Sequence, residues 1–129
     1  MKSAVITGAL SGLAQAVIKN LLEDGYTVFE GDIAIKEEEI RGNEYLFPLD
    51  LTNDDSILKF YKRVTSYIDK VDVITNFAGI VILGSFVELP FSTIDKIMSI
   101  NFTSTFKLNN LFFENIKAAK GRIINISSE

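Results

Sequence analysis

Short apolar runs alternate with segments of helical periodicity along the whole chain, and this alternation limits the fold more than any other feature. Ser3–Thr7 is an apolar run stopped by Gly8, short enough for a buried strand. Leu13, Val17 and Leu21 then recur at helical spacing, with Ala14, Ile18 and Leu22 beside them. Asp24-Gly25 supplies a helix stop. Residues 26–30 read as a second strand, closed by Gly31-Asp32. Residues 33–43, with Lys36-Glu37-Glu38-Glu39, read as a solvated loop. Residues 44–47 form a third strand with Pro48 at its end. Ile57, Tyr61, Val64 and Ile68 share one helix face, capped by Thr52 with Asp55 or by Asn53 alone. Residues 71–75 make a fourth strand. Ser92-x-x-Asp95 opens a short helix through Met98, and a longer helix runs from about Asn101 to Ala119, ended by Gly121. Residues 122–126 are a fifth strand.

Such alternation predicts an α/β fold: a parallel sheet with helices on both faces, joined by right-handed crossovers into a doubly wound sheet. The 129 residues suffice for one domain with an apolar core, and 47% of them are hydrophobic. No internal repeat or linker divides them, so residues 1–129 read as one domain. The chain has neither cysteine nor histidine. That excludes disulfides, a thiolate nucleophile and the commonest metal ligands, so no metal is expected. A net charge of −4 argues against a nucleic-acid surface. No apolar stretch approaches the ~20 residues of a membrane span, and no targeting signal opens the chain. A cytoplasmic protein is the expectation.

Between the first strand and first helix lies Thr7-Gly8-Ala9-Leu10-Ser11-Gly12-Leu13-Ala14. A helix N-terminus there presents free backbone N–H groups and the positive end of its dipole. Gly8 suits a tight turn, and Gly12 leaves space for a pyrophosphate. The glycines are not followed by Lys-Ser or Lys-Thr, so a P-loop triphosphatase does not fit. Asp32, at the end of the second strand, suits hydrogen bonds from both adenosine ribose hydroxyls and repels a 2′-phosphate. The glycine loop carries no Arg or Lys. NAD is therefore expected over NADP, with Lys36 the nearest opposing charge.

These motifs resemble the short-chain dehydrogenase/reductase family. Thr7-Gly8-x-x-x-Gly12-x-Ala14 is similar to its TGxxxGxG with the last glycine changed. Asp50-Leu51-Thr52 resembles the aspartate segment after its third strand, and Asn76-Phe77-Ala78-Gly79 its NNAG. Residues 91–106 resemble its helix-and-asparagine region, and Gly121 to Ser128 its fifth strand and catalytic-serine segment. The resemblance spans the whole chain. It implies a Rossmann-type sheet of about five strands in the order 3-2-1-4-5, incomplete relative to the family. It also implies an NAD(P)-dependent oxidoreductase that moves hydride between nicotinamide and an alcohol or carbonyl carbon.

Carried over residue by residue, the resemblance makes Gly8, Ser11, Gly12 and Leu13 the pyrophosphate lining. Asp32 would hold the adenosine ribose, and Asp50 with Leu51 the adenine. Asn76, Ala78 and Gly79 would back the middle of the cofactor. Asn101 matches the catalytic asparagine and Ser128 the serine that hydrogen-bonds the substrate oxygen. Phe77 departs from the family's second asparagine, either filling core space or altering the loop. The family's acid–base pair, a tyrosine with a lysine four residues later, would fall beyond Ser128. Four positions after Tyr26, Tyr45, Tyr61 and Tyr67 stand Glu30, Leu49, Thr65 and Val71. The chain alone is thus expected to be inactive, truncated before that pair. Its alternative readings are a non-catalytic dinucleotide-binding module and a structural remnant. An exposed last strand and the long helix predict a homo-oligomer.

Overall fold

The structure, a computed structural model, describes residues 1–127. Five parallel strands carry it: β1 (Ser3–Thr7), β2 (Thr27–Asp32), β4 (Glu44–Pro48), β5 (Val73–Asn76) and β6 (Arg122–Asn125). A sixth, β3 (Glu39–Arg41), pairs antiparallel with β4, and the sheet order is β3-β4-β2-β1-β5-β6. Without β3 this is the expected order 3-2-1-4-5. Residues 39–41 differ from the expected loop: three residues are too few to give a periodic signal, and all three are exposed. The strand exists because Gly42, at φ +59°, turns the chain back on itself and lets Arg41 pair with Glu44.

The central strand β1 is buried along its whole length, and its side chains alternate between two cores. Ala4 and Ile6 pack with Val28 against Ala14 and Ile18 of α1 (Gly12–Glu23). Val5, Phe29 and Ile74 face the other way, toward α2 (Asp54–Thr65) and α4 (Ser104–Ala119). There Phe60 and Val64 of α2 meet Leu108, Phe112 and Ile116 of α4 in the larger core. Helices on both faces make the sheet doubly wound, as anticipated. β6 lies at the sheet edge, where Ile123, Ile124 and Ile126 are 40–47% exposed. No helix among the described residues is long and apolar enough to cross a membrane.

Local chemistry sets the helix ends. Ser11 caps α1, accepting from the Ala14 N–H at 3.3 Å. Asn53 alone caps α2, accepting from the Ser56 N–H at 3.1 Å. Asp54 and Asp55 in its first turn and Lys62 and Arg63 in its last both complement the helix dipole. The short helix α3 (Phe91–Met98) opens one residue before Ser92. Its cap is Pro90, whose carbonyl accepts from Thr93 and Ile94 with no side-chain cap. Between α3 and α4 the backbone widens into a π-helical turn, Ser99–Thr103. Side-chain periodicity does not register such a turn, which is why the sequence predicts plain helix from about Asn101.

The end of α4 differs in detail from the glycine stop expected. The left-handed residue is Lys120, at φ +51°, while Gly121 donates its N–H to Ile116. Gly121 is needed for a different reason: a Cβ there would lie 2.6 Å from the Asp72 carbonyl oxygen. Lysine at a left-handed position is strained. Lys120→Gly is therefore expected to raise stability by about 0.5–1 kcal/mol, measured as a higher urea midpoint with an unchanged slope.

Candidate active-site cleft

The carboxyl ends of β1, β2, β4 and β5 open onto a cleft of about 480 Å³. Ligands of doubly wound sheets bind at this edge, where the strand order reverses. Gly8, Ser11, Asp32, Asp50, Leu51, Ala78 and Gly79 of the sequence-predicted set all line it. They come from four separate loops, brought together only by the parallel register of the sheet.

The glycine loop is shaped from beneath. Gly8 sits at φ +65°, and a Cβ there would lie 2.6 Å from the Ala78 Cα. The loop after β1 thus presses directly on the loop after β5, and Phe77 donates its N–H to the Thr7 carbonyl at 2.9 Å. Gly12 is the opposite case. A Cβ built there meets nothing within 4 Å. Its lack of a side chain is no packing requirement of the fold, and it keeps the first turn of α1 open to a ligand.

Asp32 stands at the end of β2 with both oxygens engaged. The Leu10 N–H donates to Oδ2 at 3.0 Å and the Ala34 N–H to Oδ1 at 2.9 Å. The ring of contacts leaves each oxygen a second lone pair for a ligand hydroxyl. Asp50 is fixed by its neighbour: the Thr52 hydroxyl and N–H both donate to Oδ1, at 2.6 and 2.9 Å. Those bonds hold its carboxyl below the usual carboxylate range, with the Lys96 ammonium adding a smaller pull. Thr52 thus serves Asp50 rather than capping α2, as an Asp-x-Thr turn allows.

Lys96, Ile100, Ile33 and Ile80 also line the cleft and were not singled out from sequence. Lys96 could not be, because α3 buries none of its residues and so offers no pattern to mark its inner face, and Ile100 lies in the π turn, which side-chain periodicity does not register. Phe77 packs partly against the α1 core and also lines the cleft.

Asn76 and Asn101 fall outside this cleft. They line a smaller adjoining cavity of about 240 Å³, and Ala78 is common to both walls. Asn76 is buried in a polar network. It accepts from the Thr7 hydroxyl at 2.9 Å and donates to Asn109 at 3.2 Å and to Asn125 at 3.5 Å. This ties β1, β5, β6 and α4 together. Asn101 clasps Ile80 reciprocally, accepting from its N–H and donating to its carbonyl, both at 2.8 Å. Its side chain therefore fixes the loop after β5 to the π turn. Leu13 is 62% exposed on α1 and lines neither space, because it lies on the helix face turned from the sheet. Ser128 lies outside the described residues. Among the described residues no tyrosine lines the cleft: Tyr45 and Tyr67 stack with Phe29 and Phe47, and Tyr61 packs on Phe112.

A family model described as short chain dehydrogenase matches residues 2–129. The chain belongs to the short-chain dehydrogenase/reductase family. The 3-oxoacyl-[acyl-carrier-protein] reductase of Thermotoga maritima is 29% identical over 136 residues, covering 98% of this chain and 55% of that protein. An NAD-dependent glycerol dehydrogenase of Listeria innocua is 28% identical over 134 residues, covering 99% and 53% respectively. A short-chain dehydrogenase/reductase of Serratia marcescens superposes with a TM-score of 0.88 at 23% identity, over 98% of this chain and 57% of the other. That likeness supports the fold alone. The chain spans about half the length of the curated relatives it matches.

Proposed function

We propose that this short-chain dehydrogenase/reductase chain binds NAD, and that the whole protein transfers hydride between that cofactor and an alcohol or carbonyl carbon. The observation that carries the reading is Asp32. Its carboxylate stands in the cleft wall at the end of β2, directly hydrogen-bonded to the glycine loop. A carboxylate there accepts from the two ribose hydroxyls of NAD and repels the extra phosphate of NADP. Lys36, the nearest opposing charge in the sequence, donates to the Ile33 carbonyl at 2.9 Å. Lys96 lines the cleft too, and its pull falls on Asp50.

Gly8, Ser11 and Gly12 would take the pyrophosphate at the α1 N-terminus, and the open space at Gly12 fits that use. Leu13 would flank it from the exposed side. Asp50 and Leu51 would take the adenine, and Ala78 and Gly79 the middle of the cofactor. Asn76 would back that middle part from behind, Asn101 would be the catalytic asparagine, and Ser128 would meet the substrate oxygen. When bound, the cofactor supplies or accepts the hydride. The chain's own residues orient it and exclude water.

Gly12→Ala provides the sharpest test. It should leave the melting temperature nearly unchanged, since its Cβ meets no protein atom. It should weaken NADH binding roughly tenfold or more, by filling the space a phosphate needs. Fluorescence titration with NADH and NADPH measures both affinity and preference. Absence of saturable binding in the parent chain, or equal affinity in Gly12→Ala, would sink the cofactor assignment.

A second reading is a non-catalytic dinucleotide-binding module, favoured by the packing of Tyr45, Tyr61 and Tyr67 against phenylalanines away from the cleft. NADH binding without turnover by the whole protein would be its signature. The apolar edge β6 and the exposed face of α4, with Phe106 and Phe113 more than half exposed, favour self-association. Sedimentation showing only monomer at high concentration would count against association.

A further inference from the structure

Three ionisable side chains line the cleft among the described residues: Asp32, Asp50 and Lys96. The two carboxylates are met unequally. Both oxygens of Asp32 take a backbone N–H, from Leu10 and Ala34. Asp50 takes both Thr52 donors on Oδ1, and among the described residues no donor reaches its Oδ2. Lys96 is the single cation of the lining. It stands exposed on α3 and, among the described residues, has neither a hydrogen bond nor an ion pair. A free acceptor and a free donor thus border one space without joining each other.

Each has an apolar neighbour in the same lining. Leu51 follows Asp50 and packs partly on the larger core. Ile100 lies four positions after Lys96, inside the π turn. Apolar surface with one acceptor and one donor at its margin suits a flat heterocycle that carries the complementary pair on one edge. Adenine has such an edge: its 6-amino group donates, and the adjacent N1 accepts. The Thr52 bonds first, and the Lys96 charge after them, hold the Asp50 carboxyl below the usual carboxylate range. Asp50 is therefore an acceptor at neutral pH, and the Lys96 charge is felt at the end of the cleft assigned to the base.

We propose that Lys96 reads the adenine base: its ammonium donates to N1 while the free Oδ2 of Asp50 accepts from the 6-amino group. Asp50 by itself requires a donor on the ligand. Lys96 requires an acceptor beside it, and the two together select an unmodified adenine edge. This assignment rests on the dinucleotide reading above and extends base recognition from the loop after β4 to α3.

The test compares Lys96→Met with the parent by calorimetric titration of NAD, AMP and their etheno analogues, whose bridge between N1 and the 6-nitrogen removes both the acceptor and the donor. Methionine keeps an unbranched stem and a similar helix propensity at an exposed position, so the melting temperature should not change. The parent should bind NAD more tightly than its etheno analogue. Lys96→Met should weaken NAD and AMP roughly threefold to tenfold, the effect of one hydrogen bond, and leave both etheno analogues unchanged. Equal losses on NAD and its etheno analogue would mean that Lys96 acts through phosphate charge or through the helix, and would overturn the contact. No loss on any ligand, or a parent that does not distinguish NAD from its analogue, overturns it as well. AMP binding with this dependence on Lys96, but no NAD binding, supports the contact and refutes the dinucleotide reading. A parent that binds neither NAD nor AMP overturns both.

Discussion

Replacing Gly8 by alanine is expected to cost the chain at least ~3 kcal/mol of stability, enough to unfold a marginal domain. Two independent penalties combine. The residue holds φ +65°, a region that costs an L-residue roughly 1–2 kcal/mol. The added methyl would also meet the backbone of Ala78 and the Phe77 carbonyl carbon, the latter at 2.8 Å. Backbone cannot rotate aside as a side chain can, so the loop after β5 must move away from β1. The bond from the Phe77 N–H to the Thr7 carbonyl would lengthen with it, and the clasp between Asn101 and Ile80 lies just beyond. Urea unfolding followed by circular dichroism measures the loss. Gly12→Ala, with open space around it, is the control that should unfold like the parent. A Gly8→Ala chain as stable as that control would show that the two loops do not press together.

Stability should also fall as pH rises from about 4.5 to about 8, by a buried carboxyl that the fold holds protonated. The value for Glu30 is raised by desolvation first and by Glu44 second. The folded chain therefore binds a proton that the unfolded chain has released. The stabilising contribution is complete below the ordinary carboxylate value and is lost as pH climbs through the folded value. The shift corresponds to a loss on the order of 3–5 kcal/mol. Glu30→Gln removes the titration and should flatten the profile, leaving the variant the more stable protein at mildly alkaline pH. Asp50 and Glu39 shift the other way, held low by Thr52 and Arg41, so their effects belong to acid pH and do not overlap this window. Urea midpoints across the pH series decide the matter. Parallel curves for parent and variant would mean that Glu30 is ionised at little cost in the folded chain.

The two glycines and Glu30 show how far residue types carry an argument. Gly8 and Gly12 occur in one motif, yet their surroundings are opposite. A Cβ on Gly8 would meet the loop after β5, whereas one on Gly12 would meet no protein atom. Nothing in the local sequence separates them, because the neighbour of Gly8 is seventy residues distant along the chain. Glu30 was legible only as a strand residue. Its burial follows from Ile6 and Leu46 flanking it on the neighbouring strands, with the α1 core beyond, a matter of register rather than composition.

By itself the sequence determined the periodicities, and with them the five parallel strands, the helices on both faces and the edge of the sheet where ligands gather. Those are local properties, since the spacing of apolar residues decides which face each element must bury. Its motifs also singled out Asp32 and Asp50, both of which line the cleft. The tertiary structure alone decided which of these share a space. It brought Gly8, Asp32, Asp50 and Ala78 to one cleft, set Asn76 and Asn101 against its neighbour, and added Lys96. It also made β3 from three exposed residues by means of one turn at Gly42. The reason is the same in each case: contacts between residues distant in the chain depend on strand register and loop path, and neither leaves a periodic trace.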